Sequence, residues 1–452
     1  VRRVCLTLPT HRACTGTIAA VAEEAAYGAR EFGVEVHLLI LDSSAPADLA
    51  AHRAAVAALP PAPGVVVHHL DEDRQRAFLE EVLAAAGAAG ADRLLDLMLP
   101  DRVSYGACTN RAFLIAEALG CASVHRRDSD SRYQLGDGAP VFPIHHELTA
   151  LGRRAADVAG EVTRSRLDPG CADRTVVLAG ASFIGELSVD VAELRALDPE
   201  AYHEVVGLSV PAGYPEIWRR NLIDEAFRGA GDTPFTTDLT TLTLVAPTRV
   251  DMCNVALGRE VYGRVPLPPA TDTIGTDYFL LHLVHKARLP GVLHNRHIVN
   301  YHTDERRSDA GFLAYQLRFA KYLLAGVHLD AVYAGLTAAG DTLLDPAGRL
   351  RPAAVAALVR ESTRIDPAGK EARLDVLVRR YRSLGGRYAT AAALFTERRD
   401  RLLTEARDGM TDFALLVDAW GSLTAHAKGT TVKHPPHPPR AAGTAPAPAV
   451  AP

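Results

Sequence analysis

Asp128 and Asp130, with Ser129 between them, stand directly after the short strand-like run 121–127. Two carboxylates one residue apart at the end of a buried strand can both turn toward one hard divalent cation, Mn2+ or Mg2+, which takes oxygen ligands. Such a cation neutralises the charge that builds on a departing phosphate group. The pattern is only three residues long, and a solvated turn reads the same way. A second group of reactive side chains lies downstream in Gly275-Thr276-Asp277-Tyr278, His294-Asn295-Arg296-His297 and Tyr301-His302-Thr303. Asp277 opens the apolar stretch 278–284, which suits a general base reaching for a hydroxyl and equally suits a helix N-cap. Three histidines fall within the nine residues 294–302, and loop histidines are common in any chain. Glu186 and Arg306-Arg307 have the chemistry to touch a ligand, but each reads as well as an ordinary helix start.

These residues need elements to hold them. Over the first ~130 residues, strand-like segments (4–8, 34–41, 65–70, 121–127) alternate with helix-like ones (15–32, 47–59, 74–86, 106–119), and Gly120 stands where a left-handed C-cap is favoured. That alternation predicts an α/β domain on a mainly parallel sheet. Ligands in such sheets sit beyond the carboxyl ends of the strands. The polar strand ends, Pro9-Thr10-His11-Arg12, Asp42 and Asp128-Ser129-Asp130, are therefore expected along one edge. Between about 140 and 300 the pattern is mixed, with strands at 175–179 and 242–245 and helices at 188–197 and 215–228. Beyond 307 the apolar spacing is helical, over 310–325, 353–364, 370–383, 388–406 and 411–427. The last stretch, rich in Pro, His, Ala and Thr, has nothing to bury and is expected to be disordered. The expected division is a catalytic domain over 1–305, a helical C-terminal region over 306–428 and a tail over 429–452.

Four short patterns in order resemble the opening of GT-A glycosyltransferases. They are Leu6-Thr7-Leu8-Pro9-Thr10-His11-Arg12, Leu38-Leu39-Ile40-Leu41-Asp42-Ser43-Ser44, Gly106-Ala107-Cys108-Thr109-Asn110-Arg111 and Asp128-Ser129-Asp130. The resemblance covers about residues 1–305 and implies a Rossmann-like GT-A sheet and a nucleotide-diphosphate sugar as donor, first of all a UDP-sugar. It implies that Pro9, Thr10 and Arg12 line the nucleotide pocket and that Asp42 meets the base. It sets Asn110 and Arg111 beside the diphosphate, although their order reverses the commoner Arg-Asn. Asp128 and Ser129 would touch the donor, Asp128 and Asp130 the metal, and Asp277 the acceptor hydroxyl. His302 would be the distal metal ligand, because the apolar pair Ile298-Val299 can return it to the sheet edge, with His297 as the alternative. The rival readings are a nucleotidyltransferase, which usually carries a Gly-rich loop that Pro9-Thr10-His11-Arg12-Ala13 lacks, and a non-catalytic nucleotide-sugar-binding protein.

Composition narrows the rest. The chain has 452 residues, 48% of them hydrophobic, and a net charge of −5, which leaves ample material for a core and argues against a nucleic-acid partner. Only five of the 49 basic residues are lysine and alanine is abundant; with Val1 where a GTG start codon would put it, this fits a GC-rich, actinobacterial-type genome. Six scattered cysteines without a C-x-x-C pair make zinc and redox sites poor expectations and point to a reducing cytoplasm. The apolar run at the N-terminus is too short for a signal peptide, and no stretch approaches the ~20 apolar residues of a membrane helix. His145-His146-Glu147 lacks the second histidine of a metalloprotease helix, and Walker and dinucleotide-binding glycine patterns are absent. Trp218 and Trp420 sit in helical stretches and are expected in the core. A small-molecule acceptor is the expected partner, and the helical region is expected to cover it, to form a homodimer or to dock another protein.

Overall fold

A computed structural model of the chain describes residues 1–210, 215–301 and 308–432. The strands, in chain order, are β1 (Arg3–Thr10), β2 (Glu35–Asp42), β3 (Val65–Asp71), β4 (Ser123–Arg126), β5 (Arg132–Tyr133), β6 (Leu135–Gly136), β7 (Ala139–Pro140), β8 (Arg164–Ser165), β9 (Leu178–Gly180), β10 (Phe183–Gly185), β11 (Thr240–Thr243), β12 (Val255–Gly258), β13 (Gly291–His294) and β14 (Ile298–Asn300). Among the described residues the main sheet has nine strands, ordered β3-β2-β1-β4-β12-β9-β13-β11-β8. β1 to β4 are mutually parallel, as are β9 with β13 and β11 with β8, whereas β12 runs antiparallel to both its neighbours and β11 to β13. A small sheet, β10-β14-β5, stands beside it.

The first strands are apolar runs because both faces are covered. Val4, Leu6 and Leu8 of β1 and Val36, Leu38 and Ile40 of β2 pack with Ile18 and Val21 of α1 (Thr15–Phe32) and Ile144 and Leu148 of α6 (Ile144–Ala150). Cys5, Leu39 and Leu41 face the other way, as the two-residue period of a strand requires. Gly33 ends α1 in the left-handed region (φ 60°), its N–H donating to Ala29 O. Two further helices follow β2 and β3, α2 (Pro46–Ala57) and α3 (Glu72–Ala86), and α4 (Ala91–Met98) and α5 (Tyr105–Ala118) precede β4.

The fold is thus a mixed α/β architecture, a large mainly parallel sheet flanked by helices with a helical C-terminal region, as the alternation in the sequence predicts. The long helices Asp309–Ala339 and Arg399–Ala427 lay Leu329, Val332, Phe413 and Trp420 into the same core as Val124 of β4 and Phe113 of α5. Trp420 is fully buried and donates its indole N–H to Tyr262 O at 2.8 Å. Burying one large side chain contributes about 1.5–3 kcal/mol, so this seam binds the helices firmly to the sheet.

Several elements differ from the sequence expectation. α4 and the antiparallel β12 are too short to announce themselves. The expected helix 388–406 breaks at Arg398 into Gly386–Glu397 and Arg399–Ala427. Ser188 and Asp190 do not open a helix, since Ala192–Leu197 starts after Val191 without a side-chain cap. Trp218 is 63% exposed rather than buried. The helix Asp309–Ala339 does have the length and hydropathy of a membrane span, contrary to the sequence reading; its Phe319, Ala320, Leu323, Leu324 and Val332 are buried inside the molecule. Of the expected tail, Thr430 and Val432 are buried, and 433–452 lie outside the described residues.

Candidate active site

Strand direction decides what meets at the carboxyl edge. Thr10 of β1 pairs with Asp42 of β2, and Asp42 with Asp71 of β3, so three strand ends share one row. β4 stops at Arg126, paired through Thr7, and releases Asp128-Ser129-Asp130 beside them. Because β12 runs the opposite way, with Val255 opposite Arg126, its leading residues Asp251 and Cys253 arrive at the same edge. β9 and β13 again run with β4 and deliver Ser182 and His294-Asn295-Arg296-His297 to the same side of the sheet.

Arg126 is the hub. It is buried, donates from Nε to Asp128 Oδ1 at 3.1 Å and from Nη1 to Asp277 Oδ2 at 2.9 Å, and so ties the acidic triplet to the Thr276–Tyr278 turn. Burial works against its charge, but Asp128 and Asp277 outweigh burial and raise its pKa well above the ordinary value. Asp277 is itself buried; burial pushes its carboxyl above the usual range against the pull of Arg126. A carboxylate with raised affinity for a proton is a better base than a solvated one. Arg12 Nη1 reaches Asp130 Oδ2 at 3.4 Å. Tyr278 donates its hydroxyl to Asp251, and burial followed by that carboxylate raises the phenol's pKa well above normal. Among the described residues, four carboxylates (Asp128, Asp130, Asp251, Asp277) and the guanidiniums of Arg12 and Arg126 make up this acidic corner.

A family model matches residues 2–436 of the chain, nearly its whole length. The chain belongs to DUF6271, a family of unknown function. No curated protein matches it. Among solved structures, a mannosyltransferase from Pyrobaculum calidifontis in complex with GDP-Man and Mn2+ is 13% identical, with 92% of this chain and 87% of that one covered at a TM-score of 0.33. A mycobacterial protein is 15% identical, with coverages of 77% and 82% and a TM-score of 0.32. Likeness at that level leaves the chemistry of the DUF6271 chain to its own residues.

Those residues do not all fall where the resemblance implies. Asp128, Ser129, Asp130, Asp277, Arg12, Pro9 and Thr10 do gather at the edge. Thr10 Oγ1 donates to Arg12 O at 2.9 Å and fixes the turn that carries Arg12, and Ser129 O accepts from Thr17 Oγ1 at 2.8 Å. Asp277 is not a cap, because its carboxylate faces Arg126 while the helix Phe279–Lys286 starts without a side-chain cap. Asp42, by contrast, is buried and accepts from His52 Nδ1 and His69 Nε2, both at 2.8 Å, and from Ser44 N at 3.0 Å. Burial would raise its pKa, yet those hydrogen bonds hold it far below the usual range. Three hydrogen bonds engage its two oxygens, and through them Asp42 anchors the two histidines at the end of β2.

Asn110 and Arg111 need a like correction. Asn110 Nδ2 donates to Leu267 O at 2.9 Å and its Oδ1 accepts from Leu267 N at 2.8 Å. Arg111 donates to Gln75 Oε1 at 2.7 Å and to Met98 O at 2.5 Å. Both are buried and brace the fold through these hydrogen bonds. The glycine of the same pattern is explained too, since a Cβ on Gly106 would sit 1.9 Å from Pro268 O. Ser104 Oγ donates to Ala270 O at 2.9 Å. The start of α5 is therefore a dock for the segment 267–276 that leads to Asp277.

His302 lies outside the described residues, as do Arg306 and Arg307. His297 accepts from Ser182 N at 3.2 Å, and among the described residues no three His, Cys, Asp or Glu side chains converge to hold a metal. The donor chemistry of Asp128 and Asp130 nevertheless fits a hard divalent cation. Their side chains are 27% and 29% exposed, and a cation that shares substrate phosphate oxygens and keeps its waters needs only one or two protein carboxylates. Arg126 and Asp251 went unnoticed in the sequence, and Tyr278 stands out there only as part of the stretch around Asp277. The available signal was an arginine pair, Arg126-Arg127, inside a strand buried on both faces, because arginine is almost never buried without a partner.

Proposed function

We propose that the chain is a metal-dependent glycosyltransferase of GT-A type, moving a sugar from a nucleotide-diphosphate donor, first of all a UDP-sugar, to the hydroxyl of a small-molecule acceptor. The observation that carries this reading is the Arg126 bridge, which joins the paired carboxylates at the end of β4 to the buried Asp277. It supports the reading because it joins two carboxylates suited to a cation to a candidate base at one sheet edge, a pairing that can serve displacement at an anomeric carbon. Asp128 and Asp130 would hold Mn2+ or Mg2+, whose charge stabilises the leaving diphosphate when bound. Ser129, Pro9, Thr10 and Arg12 border the donor in this scheme. Asp277 accepts the acceptor's proton at Oδ1, the oxygen not engaged by Arg126, while Arg126 keeps the carboxylate oriented.

The test is thermal denaturation with UDP, GDP and dTDP, each with and without Mn2+. The expected result is stabilisation by one nucleotide that depends on the metal and disappears in Asp130→Ala. A chain that responds to none of the three is not a nucleotide-sugar transferase.

A further inference from the structure

The helix Asp309–Ala339 is fastened alongside the active site by three contacts. Tyr315 donates its hydroxyl to Ser188 O at 2.7 Å, and Lys321 Nζ donates to Thr271 O at 2.8 Å. The Tyr322 ring closes on Gly275, where a Cβ would lie 2.7 Å from it and where φ is +72°. Gly275 and Thr271 belong to the segment that runs straight into Asp277. Arg318 stands three residues after Tyr315, three before Lys321 and four before Tyr322, spacings that place it on the same face of the helix as all three. It is half-buried. Burial raises the pKa of the Tyr105 hydroxyl, and Arg318, Asp128, Arg12 and Asp130 all act on that one group.

The other two arginines of this corner have carboxylate partners, Arg12 in Asp130 and Arg126 in Asp128 and Asp277. Among the described residues Arg318 has no ion pair. A half-buried guanidinium left unpaired, acting on the same hydroxyl as Asp128 and Asp130, has charge to give to an anion, and its planar fork of donors matches phosphate oxygens. A diphosphate brought to an acidic corner in turn needs positive charge that the local carboxylates do not already hold.

We propose that Arg318, supplied by the helical C-terminal region, binds the diphosphate of the nucleotide donor. The proposal rests on the glycosyltransferase reading and gives the helical region a part in the donor site. The experiment compares binding of UDP, GDP and dTDP with that of UMP, GMP and dTMP, all with Mn2+, by calorimetry on the full chain. Wild type, Arg318→Ala, Arg318→Gln and Arg318→Lys are measured, the Gln variant keeping bulk if the Ala variant does not fold. For the nucleotide that wild type binds, loss of the guanidinium is expected to weaken the diphosphate about tenfold, the scale of one charge-assisted hydrogen-bond pair. The monophosphate is expected to change less than about twofold, and Lys to recover part of the loss. Equal weakening of mono- and diphosphate, or none of either, overturns the role of Arg318 while the glycosyltransferase reading stands. A wild-type chain that binds no nucleoside diphosphate overturns both.

Discussion

Arg126 and Arg127 are neighbours at the end of one strand, both are buried, and each is held by two carboxylates. Strand alternation sends them to opposite faces of the sheet, and the surroundings differ completely. Arg127 donates to both oxygens of Glu24, at 2.8 and 2.9 Å, and to Glu147 at 2.9 Å; His125 and Tyr133 bond to the same two glutamates. All four of Arg127, Glu24, Glu147 and His125 are sealed between the sheet, α1 and α6, with no side-chain exposure. Arg126 instead bridges a buried carboxylate to a part-exposed one in an acidic corner that reaches the surface. A closed network of charges fixes a fold. An unbalanced one that reaches the surface is suited to chemistry.

Removing each arginine tests that contrast. Arg127→Met leaves two glutamates without their counter-charge in the interior, and breaking a buried ion pair from one side costs about 3–5 kcal/mol. Urea denaturation should show that loss, and any residual folded protein should keep its nucleotide response. Arg126→Met should cost less, about 1–3 kcal/mol, because Asp128 is part-exposed and can turn to water. The same variant should lose the metal-dependent nucleotide response. Equal stability losses at the two positions, measured side by side, would remove the distinction drawn between them.

The smallest effect is in pH. Burial, with Arg296 and His146 nearby, brings His145 from 6.5 down to about 4. Between those values the unfolded chain binds a proton that the native chain does not, so stability should fall as pH drops from 6.5 toward 4. Glu147 is also lowered, for a different reason: burial raises it, but Arg127 and His125 outweigh burial and hold it below its ordinary 4.5. Its contribution is present above 4.5 and is lost as the pH falls further, which makes a second, more acidic step. Denaturation midpoints across pH should show both steps in wild type, and the more acidic one should be missing from Arg127→Met. A wild-type midpoint that stays flat from pH 6.5 to 4 would contradict the burial assigned to His145.

Most of the parallel half of the fold was legible because two-residue and 3.6-residue periodicity are local properties of the chain. β1 to β3, α1 and the long C-terminal helices show it. The position of the Asp128-Ser129-Asp130 triplet was legible for the same reason, since it ends a strand in a sheet whose strand ends face one way. β12 was not legible, for its four residues, Val-Ala-Leu-Gly, are too few to carry a period, and with it went Asp251. Asp42, Asn110 and Arg111 occupy expected strand-end and helix-start positions, but, Ser44 apart, the residues that take up their hydrogen bonds lie 10 to 157 positions away.

The sequence alone therefore determined the architecture's class, the direction of the parallel strands and the edge where the acidic pair emerges. Which of the polar groups at that edge face outward was decided only in the tertiary structure. A side chain's chemistry belongs to its residue, but whether its lone pairs and protons are already engaged depends on partners brought close only by packing. Arg126 and Arg127, identical in type and adjacent in sequence, acquire their different roles in this way.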